Sequence, residues 1–360
     1  MTILVISQRN SMKCSYCPLA FRELYADSNG KYRLCCHAKP SPHSAHDMNP
    51  LDFWNSEYIE NVRNRMFSNQ PLEECAVCNI DQWSFRDNAI ELYGIDQTNV
   101  KITLKIHMIG SYCNLSCVAC HPFNSSERRK EMRFSKFREH FMYSAEGITK
   151  TRWKEISQDI IDNAGIIDTI NFTGGEPLQI GRHWDLVERM PAKIAQNIAL
   201  EYDTNLTALE YNGNSIFDLK KKFRDIRLKV SCDHYGKKLE LLRYPINVSQ
   251  FEENLKRVKE FYPVLHLTAN ILNIHELREI QDYYSVPMKF PSVVSMPAFL
   301  SIRNLPDDTK REYIQKYADE KVLVTEMLKT QSTNWISLAE GYFDQLFGNR
   351  DIDWREHFAL

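Results

Sequence analysis

The 360-residue sequence contains no apolar stretch that approaches the roughly 20 residues of a membrane-spanning helix. Its first residues, from Met1 to Gln8, lack the charged, apolar and small-residue segments of a secretory signal peptide. The formal net charge is only -2, which argues against a general nucleic-acid binder. Low-complexity segments are also absent. We therefore expect a cytosolic protein that binds neither membranes nor nucleic acids.

Cysteine is plentiful but unevenly placed. Nine of the ten cysteines precede position 121, and only Cys232 lies beyond it. In a reducing compartment, clustered cysteines more often bind metals or take part in catalysis than form disulfides. The distribution therefore predicts metal chemistry in the first third of a chain long enough for one large domain and a smaller one.

One short segment concentrates three of these thiols. Cys113, Cys117 and Cys120 are separated by three and then two residues. This spacing suits a loop wrapped around an iron–sulfur cube, which normally takes four thiolates. Three local ligands would leave one iron with an open position for chemistry. The alternative is a zinc-binding loop or a set of free thiols.

A second motif lies further along the chain. Gly174, Gly175, Glu176 and Pro177 follow the apolar run from Ile166 to Phe172. Two glycines at a strand end let the backbone approach a ligand closely, and the following carboxylate suits a bound ammonium group. An ordinary strand-to-helix turn is the alternative.

Together, in this order, the two motifs resemble those of the radical S-adenosylmethionine (SAM) superfamily. In that family three cysteines hold a 4Fe-4S cluster, and SAM chelates the fourth iron through its amino and carboxyl groups. The resemblance implies that Cys113, Cys117 and Cys120 bind this cluster and that the Gly-Gly-Glu-Pro turn contacts the SAM amino group. One departure is Ala119, where many members carry an aromatic residue; Tyr112, His121 or Phe123 are candidates to cover that face.

The region before residue 100 carries six more cysteines. Cys14 and Cys17 form one Cys-x2-Cys pair, Cys75 and Cys78 form another, and Cys35 and Cys36 lie between them. Zinc is the commoner occupant of two such pairs, with His37, His43 and His46 as further candidate ligands.

This region also resembles the twitch (shortened SPASM) module of radical SAM proteins, which holds an auxiliary 4Fe-4S cluster. The resemblance implies Cys17, Cys35, Cys75 and Cys78 as ligands, with Cys14 and Cys36 spare or substituting for a neighbour. The better-known members place this module after the barrel, whereas here it comes first.

From residue 101 the chain alternates between strand-like and helix-like runs, which predicts parallel βαβ units. The six strand-like runs are Lys101–His107, Thr169–Phe172, Ile198–Tyr202, Leu228–Cys232, Leu265–Ile271 and Met288–Val294. We predict an α/β fold: a partial (β/α)6 TIM-like barrel, the radical SAM core, over residues 101–305, with a cysteine-rich auxiliary domain over 1–100. Helices over 306–360 are expected to pack on the barrel through Trp335, Tyr342, Phe343 and Phe347. Active sites of such barrels lie at the carboxyl ends of the strands.

Other polar residues follow these strands. By resemblance, the further SAM-binding candidates are Thr204, Asn205, Ser231, Asp233, Arg243 and Asn270. A polar residue at a strand end is as often a helix cap. Cys232 is either a hydrogen donor to a substrate radical or a small buried hydrophobic residue. The charged segment from 124 to 142 is expected to be a solvated helix face, and a patch that binds an anionic substrate is the alternative.

The implied activity is reductive cleavage of SAM to a 5′-deoxyadenosyl radical that abstracts a hydrogen atom from substrate. The implied electron donor is a flavodoxin or ferredoxin, and the implied cofactors are SAM and two 4Fe-4S clusters. Peptide or protein modification is the first substrate class, and a small molecule such as a sugar or amino-acid derivative is the alternative. A zinc-stabilised binding protein without catalysis is the second alternative.

Overall fold

The computed structural model describes residues 16–76, 78, 85–94, 101–141, 147–329 and 335–358. Cys14 lies outside these residues. The strands are β1 (Glu23–Ala26), β2 (Tyr32–Arg33), β3 (Ile102–Ile106), β4 (Ile167–Phe172), β5 (Ala199–Thr204), β6 (Glu210–Tyr211), β7 (Asn214–Ser215), β8 (Asp225–Ser231), β9 (Val264–Ala269) and β10 (Met288–Val293). The helices of the first half are α1 (Leu19–Arg22), α2 (Pro50–Trp54), α3 (Glu57–Phe67), α4 (Phe85–Tyr93), α5 (Ser126–Met132), α6 (Lys150–Asp162), α7 (Gly181–Arg189) and α8 (Ala192–Ala195). Those of the second half are α9 (Ile216–Lys222), α10 (Gly236–Leu242), α11 (Val248–Arg257), α12 (Leu277–Tyr284), α13 (Asp307–Lys316), α14 (Lys321–Met327) and α15 (Trp335–Gly348).

Eight strands form one sheet in the order β10-β9-β8-β5-β4-β3-β1-β2. All neighbours pair in parallel except β1 and β2, which are antiparallel. From β3 to β10, the six large strands follow one another in chain order with helices between them, as in a singly wound barrel. The sheet ends at β10 and β2 in the described part of the chain. The predicted α/β class with a six-stranded parallel core is confirmed.

Alternating burial explains how each strand sits between two environments. In β3, Ile102, Leu104 and Ile106 are almost fully buried, whereas the intervening Thr103 and Lys105 are half-buried. Successive side chains of a strand point to opposite faces, so one face packs under helices and the other is the concave inner face. Helix α6 covers the outer face with Trp153 and Ile156, each worth about 1.5–3 kcal/mol when buried.

The first hundred residues contribute directly to this sheet. Strands β1 and β2 form a hairpin, with Gly30 at φ +74° in its turn. Strand β1 then pairs in parallel with β3, Tyr25 opposite Lys105. The sheet therefore continues across the predicted boundary near residue 100, and the separate auxiliary domain remains a prediction.

The C-terminal helices pack as predicted. Tyr342, Phe343 and Phe347 are fully buried, and Trp335 is half-buried beside them. The Tyr342 hydroxyl donates to the Val118 carbonyl at 2.8 Å, which ties α15 to the cysteine loop. None of the helices in the described ranges combines the length and apolarity that a bilayer span requires.

Candidate functional site

The three-cysteine loop follows β3 and is held by backbone contacts from elsewhere in the fold. Cys113 and Cys117 are buried and Cys120 is half-buried. Ser116 N donates to the Tyr244 carbonyl at 2.6 Å, and Val118 N donates to the Leu242 carbonyl at 2.9 Å. These backbone hydrogen bonds fix the conformation of the loop.

Three arginines surround this loop. Arg128 donates to the carbonyls of Cys120 (3.4 Å) and Val118 (3.2 Å), and Arg350 donates to the Ser116 carbonyl at 2.7 Å. Arg243 lies close enough to Cys117 for its charge to lower the pKa of that thiol. The expectation that residues 124–142 present only a solvated face is wrong for Arg128, which is fully buried. Its buried guanidinium supplies hydrogen-bond donors to two carbonyls of the loop.

Burial determines the protonation state of the free thiols. It raises the pKa of Cys113 to about 12 and raises those of Cys117 and Cys120 as well, and neighbouring thiols reinforce the shift at Cys113 and Cys120. Without a metal the thiols are therefore protonated at neutral pH, and a metal that binds them must displace protons.

The donor set fits an iron–sulfur cluster in its chemistry. Two buried thiols and one half-buried thiol supply soft ligands, the nearby arginines offset their negative charge, and Asn205 Nδ2 donates to Cys113 Sγ at 3.6 Å. Within the described residues, no three His, Cys, Asp or Glu side chains converge as a site for one metal ion. A four-iron cluster does not require the thiols to meet at one point, because each thiolate binds a different iron.

The Gly-Gly-Glu-Pro turn is pressed against the same loop. Gly174 (φ +81°) and Gly175 (φ +58°) both have left-handed backbone conformations. A Cβ atom on Gly174 would lie 1.7 Å from His107 Cδ2, and one on Gly175 would lie 2.3 Å from the Tyr112 carbonyl oxygen. Glu176 N donates to that same carbonyl at 2.7 Å. The two motifs are thus adjacent: the His107 ring leaves no room for a Cβ at Gly174, and the Tyr112 backbone leaves none at Gly175.

Glu176, Thr204 and Asn205 form one buried network. The Glu176 carboxylate accepts bonds from Thr204 Oγ1 (2.8 Å), Asn205 N (2.6 Å) and Leu178 N (3.2 Å). The side chain is fully buried, so it joins the ends of β4 and β5. Its role toward a SAM amino group remains a prediction. Pro177 begins the following 3-10 turn, Pro177–Gln179, for which Glu176 is the cap.

Glu176 also makes folding stability depend on pH. Burial outweighs its three donors and raises the pKa of its carboxyl from 4.5 to about 7. Between these values the folded chain binds the proton more strongly than the unfolded chain, so this residue's contribution to stability falls as pH rises. The complete shift corresponds to about 3 kcal/mol.

We expect Glu176→Gln to remove this contribution. The difference in free energy of unfolding between wild type and variant should change by about 3 kcal/mol from pH 4 to pH 8, in the sense that the wild type loses stability as pH rises. Urea unfolding of both proteins across that range measures it. Parallel pH profiles would show that the carboxyl has an ordinary pKa.

Asp233 and Arg243, from the end of β8 and the segment after α10, are brought together. Arg243 Nη1 lies 2.8 Å from Asp233 Oδ2, and Asp233 Oδ1 accepts from Thr268 N at 3.3 Å. The pair lies beside Cys117, so both predicted residues belong to the surroundings of the three-thiol loop. Ser231 is half-buried on the same strand end. Contact of these three residues with SAM remains a prediction.

Cys232 and Asn270 make local contacts in the segments that follow β8 and β9. Cys232 is fully buried, its Sγ donates to the His234 carbonyl at 3.1 Å, and burial raises its pKa to about 12. Asn270 Oδ1 accepts from Leu272 N at 2.9 Å, and its Nδ2 donates to the Thr268 carbonyl at 3.1 Å. Both side chains therefore stabilise the loops in which they lie.

The four thiols predicted as auxiliary ligands line one cavity. Cys17, Cys35, Cys75 and Cys78 meet there, with apolar contributions that include Leu34 and Met66 and a single guanidinium from Arg86. Burial raises the pKa of Cys17 to about 11 and that of Cys75 to about 12, whereas the charge of Arg86 lowers both. Residues separated by about 60 positions therefore line the same cavity, and their role as ligands of one cluster remains a prediction.

Cys36 lies apart from that cavity lining. It is exposed, and its charged neighbours include Lys105 and Glu23 on the inner face of the sheet. Cys36 therefore faces the concave side of the sheet. Cys14, the other spare cysteine, lies outside the described residues.

The sequence interpretation missed the polar inner face. Lys105 pairs with Glu23 at 2.7 Å, Asn171 Nδ2 donates to Glu201 at 3.0 Å, and Lys229 pairs with Glu201. At the end of β3, buried His107 packs against Gly174, and its Nδ1 lies 3.2 Å from the Tyr25 hydroxyl. Strand alternation could place Lys105 and His107 on one face, but their partners come from other strands.

The aromatic candidates for covering the cluster face lie near the loop. The rings of His121 and Phe123 stack at 5.4 Å, and Phe123 also contacts His107 at 6.0 Å. Tyr112 is half exposed. His121 and Phe123 thus form a pair immediately after Cys120, where Ala119 supplies no ring.

The chain is similar over part of its length to several solved structures. Native anSMEcpe with bound AdoMet shares 15% identity over 60% of this chain and 60% of that chain, with a TM-score of 0.43. Streptococcus suis SuiB bound to precursor peptide SuiA shares 13% over 86% and 62%, with a TM-score of 0.40. TYW1 with a lysine-pyruvate adduct bound shares 12% over 64% and 76%, with a TM-score of 0.34.

This chain therefore spans about three fifths of the length of the first two proteins. At such identities the likeness concerns the fold alone. No protein-family model and no curated protein matches the sequence.

Proposed function

We propose that this protein is a radical SAM enzyme that modifies a peptide or protein. The observation that carries the proposal is the contact between its two motifs. The Gly-Gly-Glu-Pro turn bonds to the Tyr112 carbonyl directly before Cys113, and Asn205 links the Glu176 carboxylate to Cys113 Sγ. An open-site cluster and the amino group of its nucleotide ligand need this proximity.

Cys113, Cys117 and Cys120 would hold the cluster, and the surrounding residues set its environment. Arg128 and Arg350 keep the loop carbonyls hydrogen-bonded, while Arg243 brings positive charge to Cys117. The bound cluster would supply the electron that cleaves SAM to methionine and a 5′-deoxyadenosyl radical, which takes a hydrogen atom from the substrate. The left-handed glycines would let the backbone approach the nucleotide closely.

The cavity lined by Cys17, Cys35, Cys75 and Cys78 would hold an auxiliary 4Fe-4S cluster. We propose a flavodoxin or ferredoxin as the source of electrons in the cytosol, where thiols stay reduced. A peptide or protein is proposed as substrate because twitch modules, which this region resembles, often accompany peptide modification. A small molecule is the second candidate, favoured by the polar inner face formed by Lys105, Asn171 and Glu201.

Iron and sulfide analysis of the anaerobically reconstituted protein tests the two cluster assignments. We expect about eight irons per chain in the wild type and about four when Cys113, Cys117 and Cys120 are all changed to serine. The same change at Cys17, Cys35, Cys75 and Cys78 should also leave about four. Cys232→Ser is the matched control and should retain the wild-type iron content.

Electron paramagnetic resonance then separates the roles of the two sites. SAM should perturb the reduced spectrum of the wild type and of the auxiliary variant, but not that of the Cys113/Cys117/Cys120 variant. A colourless preparation with stoichiometric zinc would instead support the non-catalytic alternative. Deuterium transfer from labelled peptides, compared with labelled metabolites, into 5′-deoxyadenosine would decide between the two substrate classes.

A further inference from the structure

A basic groove lies beside the cysteine loop, lined by the segment that follows β3 and by the starts of α6 and α7. It has a volume of about 910 Å³, and its walls carry four cations: Arg129, Lys150, Lys154 and Arg182. Tyr112, which precedes Cys113, belongs to the same lining. The groove thus reaches the segment that leads directly into the three-thiol loop.

The positive charge of the basic groove is not neutralised by the described part of the chain. None of its four cations has an ion-pair partner there. The carboxylate in the lining, Asp185, pairs with Arg189 at 3.0 Å. Helices α6 and α7 both begin at the groove, at Lys150 and Gly181, and the partial positive charge of a helix N-terminus adds to the potential. A chain with a net charge of only -2 has therefore concentrated positive charge at one place.

Two of these cations are held by hydrogen bonds, and the other two are exposed on a helix surface. Arg129 donates to Ser111 Oγ at 2.8 Å and to the Pro122 carbonyl at 3.1 Å, and Arg182 donates to the Ile148 carbonyl. Lys150 and Lys154 are exposed along α6. Between the cations the lining is apolar, with Ile109, Ile148, Trp153 and Ile180. Charged walls over an apolar floor favour a ligand that alternates acidic and apolar groups.

We propose that the basic groove binds an acidic, partly apolar, extended segment of the peptide substrate. This inference rests on the proposed function and adds to it a place and a charge for substrate recognition. A folded acidic electron carrier would contact the exposed lysines but not the buried isoleucines of the floor. An extended segment reaches both, because its alternate side chains point to opposite sides.

Fluorescence anisotropy with a labelled octapeptide of alternating glutamate and leucine, added to the reconstituted protein, tests the proposal. We expect it to bind about tenfold more tightly than the matching glutamine–leucine peptide, and more weakly as salt increases. Lys150→Glu/Lys154→Glu should lower the affinity for the glutamate peptide about tenfold. Lys256→Glu/Lys259→Glu changes two exposed lysines that do not line the groove and should leave the affinity within about twofold.

Equal affinity for the two peptides, or an equal loss in the control variant, would overturn the proposal. So would binding of a purified flavodoxin that depends on Lys150 and Lys154 when the glutamate peptide does not bind. SAM cleavage with dithionite, followed in the same samples, should be unchanged by Lys150→Glu/Lys154→Glu. Absent cleavage in the wild type would refute the proposed function while leaving the peptide-binding result to stand by itself.

Discussion

Gly174→Ala is expected to destabilise the fold by about 3 kcal/mol or more and to abolish SAM binding. The added Cβ would lie 1.7 Å from His107 Cδ2 and 2.2 Å from its Nε2. Overpacking of this kind costs about 1–3 kcal/mol, and the left-handed backbone at φ +81° adds about 1–2 kcal/mol for any residue with a Cβ. Urea unfolding measures the first effect, and equilibrium dialysis with labelled SAM on the reconstituted protein measures the second.

A second substitution separates the two causes. His107→Ala removes the ring that the new methyl group would strike, so the double variant should recover the overpacking part and keep the backbone strain. The coupling free energy in the double-mutant cycle should be about 1–3 kcal/mol. Gly175→Ala is the matched comparison, because its Cβ would meet the Tyr112 carbonyl oxygen, which no side-chain deletion removes. A Gly174→Ala penalty that is unchanged by His107→Ala would refute the steric explanation.

The core of the fold could be predicted because its signals are local. Each of the six large strands lies within a few residues of its predicted run, since alternating or continuous apolar residues determine which stretches pack under helices. Single residues determine several helix ends. Helix α3 begins after Ser56, whose side chain accepts from Ile59 N. Helix α7 ends at Arg189, shortly before Pro191, which cannot continue a helix.

The site shows where such signals end. Gly174 and Gly175 could be recognised as motif residues because they are adjacent in the sequence. Glycine is required at position 174, however, because of the ring of His107, which lies 67 positions earlier. The partners of Glu176 come from the end of β5, and the parallel pairing of β1 with β3 joins segments about 80 residues apart. Pairings over such distances depend on the complete packing arrangement, which a pattern along one segment does not contain.

Arg128 is the clearest example, because its burial depends on residues from the other end of the chain. Its guanidinium hydrogen-bonds to the Tyr342 hydroxyl, 214 positions away, and lies 2.6 Å from Glu131 Oε2. Glu131 in turn accepts from Arg350 Nε at 2.8 Å. From the sequence, an arginine that follows serine and glutamate in a helix is expected to lie on the surface. Packing of the C-terminal helix, through Tyr342, buries Arg128.

We expect Arg128→Met to cost about 3 kcal/mol or more in free energy of unfolding. The substitution removes a fully buried guanidinium that donates to the Cys120 carbonyl, and one of the two cations paired with the half-buried Glu131 carboxylate; broken buried pairs cost about 3–5 kcal/mol. Lys130→Met is the matched control on the same helix: its ion pair with Glu127 is exposed, so its loss should cost less than about 1 kcal/mol.

Because Arg128 also orders the loop between Cys117 and Cys120, its loss should lower the iron retained after reconstitution, which Lys130→Met should not do. Arg128→Lys keeps the charge but not the planar set of donors, and an intermediate iron content is expected. Equal stabilities of the Arg128→Met and Lys130→Met variants would show that the buried guanidinium does not support the loop.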